Sequence, residues 1–109
     1  VASTGHAHPE VVAAVQAQAA NLLHMSGTDF YYESMVELAE NLATRAPFLI
    51  PAKVFFSNSG AESNEGALKL ARYYTKRSQI VAFLGAFHGR TYGAMSLTGS
   101  KAVQRQHFG

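Results

Sequence analysis

Cysteine is absent from the 109 residues, so neither a disulfide framework nor a thiolate metal site is available. The same absence suits a reducing compartment, with cytoplasm as the default expectation. Histidine occurs at His6, His8, His24, His88 and His107, but their spacing follows no metal-ligand pattern, and no metal is expected. Charge is also scarce: 15% of residues are charged, and nine Lys and Arg against seven Asp and Glu give a formal net charge of +2. These charges are scattered, without the basic stripe that a phosphodiester backbone demands, so nucleic acid is not an expected partner. No apolar run approaches the roughly 20 residues of a membrane span, and no membrane partner is expected. The N-terminus lacks the basic-then-apolar order of a secretory signal, and nothing in the sequence repeats.

What is present is apolar surface. At 48% apolar residues the chain can bury a core and differs from the polar, charge-rich composition of disordered segments. Its length supports one domain at most. Val1 stands where an initiator Met would be, and the chain stops soon after the turn-like Thr98-Gly99-Ser100. Both features lead us to expect a piece of a longer protein, the alternative being a processed small one.

Periodicity organises the first half into helices. His8-Pro9-Glu10 opens one, with Pro in the first turn, where its missing N–H costs nothing, and an acid at the positive dipole end. Val12, Val15, Ala19, Leu22 and Leu23 recur at three and four spacing, which predicts an apolar face and an end near His24. Met25 to Glu33 has loop composition around Phe30, Tyr31 and Tyr32. Met35, Leu38, Ala39 and Leu42 predict a second helix, limited by Pro47.

The period then changes. Lys53-Val54-Phe55-Phe56-Ser57 is a short β-favouring run bounded by Pro51 and Asn58-Ser59-Gly60, and Ile80-Val81-Ala82-Phe83-Leu84 is another. Between them, Ala61 to Lys76 reads as a helix with Ala67, Leu68, Ala71 and Tyr74 on one face. Strand, helix and strand in this order predict a parallel pair with a right-handed crossover, buried on both faces. The expected fold class is α/β.

Two loops at the carboxyl ends of these strands are candidate ligand sites, since ligands of open α/β sheets collect there. At Asn58-Ser59-Gly60-Ala61-Glu62, Gly60 permits unusual backbone angles and close approach, Ser59 offers a hydroxyl, and Ala61 leaves its amide accessible at a helix start. An anion such as phosphate fits this arrangement. An ordinary N-cap has the same residues, with Glu62 and Glu65 complementing the dipole in the first turn. Neither a Walker loop nor the three-glycine dinucleotide fingerprint is present. In the second loop, Gly85-Ala86-Phe87-His88-Gly89-Arg90-Thr91, Phe87 offers a flat face to a planar ring and Arg90 a fork for a carboxylate or phosphate. Gly89 lets the chain turn between them. Equally, Phe87 reads as a core residue, Arg90 as a solvated charge and His88 as a structural group.

Taken together, Phe56-Ser57-Asn58-Ser59-Gly60-Ala61-Glu62, Asn64-Glu65, Ala67, Lys69, Ala71 and Arg72 resemble the phosphate-loop helix of class III aminotransferases. Ala86-Phe87-His88-Gly89-Arg90-Thr91 resembles the ring-stacking loop of that family, and Gly5-His6-Ala7-His8-Pro9 its early Gly-His-x-His-Pro segment. The resemblance spans nearly the whole chain. It implies a fold-type-I enzyme dependent on pyridoxal 5'-phosphate (PLP). Residues 1–50 would be the helical segment leading into the large domain, and 51–109 the incomplete start of that PLP-binding domain.

Carried over residue by residue, the resemblance implies that Ser59, Gly60 and Ala61 hold the cofactor phosphate, Phe87 stacks on the pyridine ring and His88 lies beside it. Arg90 matches a position that takes a substrate carboxylate in several members. Tyr31 falls in the loop that shapes the amino-donor pocket, where Phe30 and Tyr32 are alternatives and dimer packing is another use. The implied activity is ping-pong transamination from an amino donor to a 2-oxo acid, in a homodimeric parent. No catalytic residue is assigned in this chain: the family's Schiff-base Lys and pyridinium-pairing Asp are expected downstream of Gly109, and Lys53, Lys69 and Lys76 do not match that Lys. The 109-residue chain alone is therefore expected to be inactive, which an assay of the purified chain checks. Ala82 to Thr91 and Ser96-Leu97-Thr98-Gly99-Ser100 look closest to 4-aminobutyrate aminotransferases. Acetylornithine and ornithine aminotransferases and a semialdehyde aminomutase are alternatives, and a non-catalytic α/β module binding a phosphate ligand or a partner is one of another class.

Overall fold

The computed structural model describes residues 2–48 and 51–108. Val1, Gly109 and the expected boundary at residue 50 lie outside the described residues. The chain forms two compact units, Val1–Val54 and Phe55–Gly109.

The first unit carries α1 (Pro9–Asn21) and α2 (Glu33–Arg45). Helix α1 starts on Pro9, with Glu10 in its first turn. It stops three residues short of His24: Leu22 is extended, its carbonyl accepting from Gln18 Nε2 at 2.8 Å. The apolar stripe does not buy burial here, since no residue of α1 or α2 is buried. The turn before α2 is closed by Asp29 and Phe30 amides donating to the Ser26 carbonyl. Helix α2 ends where Pro47 requires it: Ala46, the residue before proline, sits at ψ 132, because the proline ring disfavours the helical region for its predecessor.

The second unit is built on α3 (Gly60–Thr75), followed by the short α4 (Tyr92–Ser96) and a 3₁₀ turn at Ala102–Gln104. Helix α3 begins one residue before Ala61 and ends with Lys76 in the left-handed conformation at φ 60, its ammonium 4.2 Å from the Tyr73 ring centroid. The packed side of α3 carries Ala61, Asn64, Glu65 and Leu68, a spacing of three, four and seven that shares one face. Opposite them lie Ala94, Met95 and Thr98, which with Leu68 form the buried centre of this unit. Of the apolar face expected from sequence, Leu68 is buried and Ala71 half-buried, whereas Ala67 and Tyr74 are exposed.

The two expected strands are not formed in this chain. Among the described residues there is no strand: neither Lys53–Ser57 nor Ile80–Leu84 makes a ladder of backbone hydrogen bonds. All their apolar residues but the half-buried Val54 are exposed, Phe55 at 76%, Val81 at 89% and Leu84 at 93%. The physical reason is that a strand, unlike a helix, draws its hydrogen bonds from a partner segment. Apolar composition selects such segments without supplying the partner.

Candidate functional site

The site begins at the start of α3. Ser59 is its N-cap, and its hydroxyl oxygen accepts the Glu62 amide at 3.2 Å. The Glu62 carboxylate returns to accept the Asn58 amide at 2.6 Å, a reciprocal cap that fixes the turn. Ser63 N donates to Ser59 O at 3.0 Å. Among the described residues this leaves the Gly60 and Ala61 amides without an acceptor, at the positive end of a 16-residue helix. The cap reading and the anion reading are therefore compatible: Ser59 spends a lone pair on the cap and keeps its O–H to donate.

Gly60 departs from expectation. Its φ lies outside the left-handed range and a Cβ there would meet no atom within 4 Å, so its glycine freedom is not used by this backbone. Gly89 is where that freedom is needed. It sits at φ 132, and a Cβ would lie 2.6 Å from Ala61 Cβ and 2.9 Å from Ala61 Cα. The absent side chain lets the second loop rest directly on the first turn of α3.

Three links hold that loop. Asn64 Nδ2 donates to His88 O at 2.6 Å. The buried Thr98 hydroxyl accepts the His88 amide at 3.0 Å and shares its own proton between Gly89 O at 3.0 Å and Ala94 O at 3.1 Å. Glu65 Oε1 accepts both Thr91 Oγ1 at 2.6 Å and Ala94 N at 3.0 Å. Beside it, a Cβ at Gly93 would press on the Glu65 carboxylate and displace it from this position.

The result is a groove of about 590 Å³ lined by Ser59, Gly60, Ala61, Asn64, Phe87, His88, Gly89, Arg90 and Thr91. Six of the seven residues singled out from sequence thus come together on one surface. Phe87 presents a half-exposed ring, and among the described residues the exposed Arg90 guanidinium donates no hydrogen bond. The backbone of His88 is an anchor on both sides, and the residue lines the groove. Tyr31 belongs to the first unit, just before α2, with 91% of its surface exposed. A larger apolar hollow over Phe55, Leu70 and Tyr73 has almost no polar lining and lacks the convergent donors of the Ser59 groove.

Sequence reasoning missed Asn64, Glu65 and Thr98 as builders of this site. Glu62 and Glu65 were both expected in the first helical turn complementing the dipole; Glu62 lies there and Glu65 does not. The available signal was positional: Asn64 and Glu65 stand three and four residues after Ala61 and before Leu68, on the packed face.

Donation from Thr91 first, then from Ala94 N, holds the Glu65 carboxyl below its ordinary range. Partial desolvation opposes this, and the Gly93 amide and the Lys69 charge assist. Because the folded value lies below the unfolded one, this contribution to stability is present above the ordinary carboxyl range and is lost as pH falls through the lowered value. Glu65→Gln is therefore expected to flatten the acid limb of a plot of urea midpoint against pH, measured on the full-length protein.

Comparison with known proteins places this chain in a family. The family model described as Aminotransferase class-III matches residues 1–109, and the chain belongs to that family, whose members depend on PLP. The chain is 50% identical to an acetylornithine aminotransferase of Methanosarcina acetivorans over 99% of its own length and 26% of that protein. It is 45% identical to a probable 4-aminobutyrate aminotransferase of Bacillus subtilis over 98% of its length and 24% of that protein. A thermostable omega transaminase mutant from Pseudomonas jessenii superposes with a TM-score of 0.72 at 28% identity, over 90% of this chain and 23% of that one. The chain thus spans about a quarter of the length of the relatives it matches.

Proposed function

We propose that this chain is the part of a PLP-dependent aminotransferase that holds the cofactor's phosphate and one face of its ring. The observation that carries the reading is the convergence of the unpaired Gly60 and Ala61 amides with Phe87 and Arg90 on one groove. The residues present fit the group. Two backbone amides at a helix N-terminus and the Ser59 hydroxyl suit a phosphate dianion, and the Phe87 ring suits a flat heterocycle. When bound, the cofactor supplies an electron sink for the amino-bearing carbon.

The chain's own residues bind and orient. Ser59, Gly60 and Ala61 anchor the phosphate, Phe87 covers the ring, and His88 borders it. Arg90 takes the substrate carboxylate through paired N–H donors, and Tyr31 shapes the amino-donor pocket. The parent moves an amino group from an ω-amino acid such as 4-aminobutyrate to a 2-oxo acid in a ping-pong sequence, as a cytoplasmic homodimer. Residues 1–50 lead into the large domain and 51–109 begin it, with Lys53–Ser57 and Ile80–Leu84 becoming strands of the fold-type-I sheet once paired. A second substrate reading, acetylornithine, is favoured by the higher identity to the Methanosarcina protein.

The test is the absorption spectrum of the full-length protein with PLP. A visible cofactor band that shifts on adding 4-aminobutyrate is the expected result. A shift with ornithine compounds alone would replace the substrate, and a folded protein without a band would overturn the assignment. Arg90→Ala is expected to lower kcat/KM for a carboxylate-bearing donor about 10- to 100-fold, the loss of a charged hydrogen-bonded pair. An amine without a carboxylate should be nearly unaffected in the same steady-state assay.

A further inference from the structure

Within the groove, the two halves of the site are held by different devices. The Ser59 to Ala61 turn is fixed by its own cap, through Ser59 Oγ and the Glu62 carboxylate. The Phe87 to Thr91 loop is instead fixed to α3 from both sides of Arg90. Asn64 holds His88 O before it, and Glu65 holds Thr91 Oγ1 and Ala94 N after it. Two strong bonds therefore converge on one oxygen of the carboxylate of Glu65, a half-buried residue, which lies directly against Gly93. A carboxylate that only complemented a helix dipole would not need this neighbourhood.

We propose that Glu65 is a positioning residue: by accepting the Thr91 hydroxyl and the Ala94 amide, its carboxylate sets the orientation of Phe87 and Arg90 over the α3 N-terminus. The inference rests on the cofactor reading above and adds a division of labour to it. The phosphate turn supplies anchorage independently of Glu65, whereas ring orientation and carboxylate capture depend on it. Ionised, Glu65 accepts both donors; an amide in its place keeps one acceptor oxygen of lower charge, and an alanine keeps none.

The experiment compares full-length wild type, Glu65→Gln, Glu65→Ala and Thr91→Val, with three readouts. In Glu65→Ala the circular dichroism of the bound cofactor's visible band is expected to lose intensity per bound cofactor. KM for a carboxylate-bearing amine is expected to rise about tenfold or more, the scale of a misplaced binding group. Affinity of the cofactor-free protein for inorganic phosphate should stay within about twofold, as for energetically independent sites. Glu65→Gln should fall between Glu65→Ala and wild type. An unchanged dichroic band and KM in Glu65→Ala would overturn the proposal, and so would phosphate affinity falling in parallel with them. Should Glu65→Ala not fold, Thr91→Val decides: it removes one O–H donor at nearly constant shape, and an unaltered band there rejects the role. Wild type without any visible band would reject the cofactor reading and this inference with it, whereas a wild-type band preserved in every variant rejects this inference alone.

Discussion

Gly89→Ala is expected to be the most damaging single-methyl change in this chain, costing the full-length protein about 2 to 6 kcal/mol and its grip on PLP. Two effects combine. At φ 132 an L-residue is held in a sparsely populated region, a strain of about 1 to 3 kcal/mol. The new methyl would also lie 2.9 Å from Ala61 Cα, a backbone atom, and 3.1 Å from Ala94 Cβ. Overpacking of this kind adds about 1 to 3 kcal/mol, and a helix backbone cannot swing aside as a flexible side chain would. Set against the roughly 5 to 15 kcal/mol that holds a typical protein folded, the change should lower Tm sharply. Where the fold survives, the strain is relieved by lifting the loop from α3, which separates Phe87 and Arg90 from the Gly60 and Ala61 amides. PLP retention should then fall more than stability does. Gly60→Ala is the control for packing: its Cβ meets no atom within 4 Å at an ordinary φ, so it should leave the Tm of the cofactor-free protein nearly unchanged. Thermal unfolding of both variants, with and without PLP, decides the matter.

That contrast also measures what could be read from the sequence. Both glycines were legible as loop residues, but which one needs to be glycine depends on what lies opposite, and Ala61 lies opposite Gly89, 28 positions along the chain. Local information served where the structure is local. The start of α3 follows from Ser59 and the helical run after it, and the end of α2 from Pro47 acting on Ala46. It reaches less far where hydrogen bonds come from elsewhere: Ile80–Leu84 has strand composition but no partner strand among the described residues. It reaches less far again where polar residues do the packing. A search for apolar periodicity finds Leu68 but passes over Asn64 and Glu65, whose partners His88, Thr91 and Ala94 stand 24 to 29 residues further on. Six candidate residues still line one groove, because a family motif carries them in short contiguous runs. The supports of that motif are dispersed, and the sequence marks them only by their place on a helix face.

Thr98 is the support whose loss should be felt most after Gly89. It has no exposed surface, and its hydroxyl is the meeting point of the His88 amide and the Gly89 and Ala94 carbonyls. Thr98→Val keeps the shape and removes the oxygen. Ala94 O retains the Leu97 amide at 3.3 Å, but among the described residues His88 N and Gly89 O have no second partner. Each group left unpaired away from water costs about 1 to 3 kcal/mol, so the variant should lose about 2 to 6 kcal/mol in urea unfolding of the full-length protein, toward the lower end because the His88 amide is only partly buried. Thr98→Ser makes the opposite deletion, losing a methyl and keeping every hydrogen bond, and should cost about 1 kcal/mol for one buried carbon. If packing alone mattered, the serine variant would be the weaker of the two. With the hydroxyl decisive the order is reversed, and the valine variant should also hold PLP less tightly, because His88 and Gly89 lie between the two groove residues, Phe87 and Arg90, that the cofactor and substrate are proposed to meet.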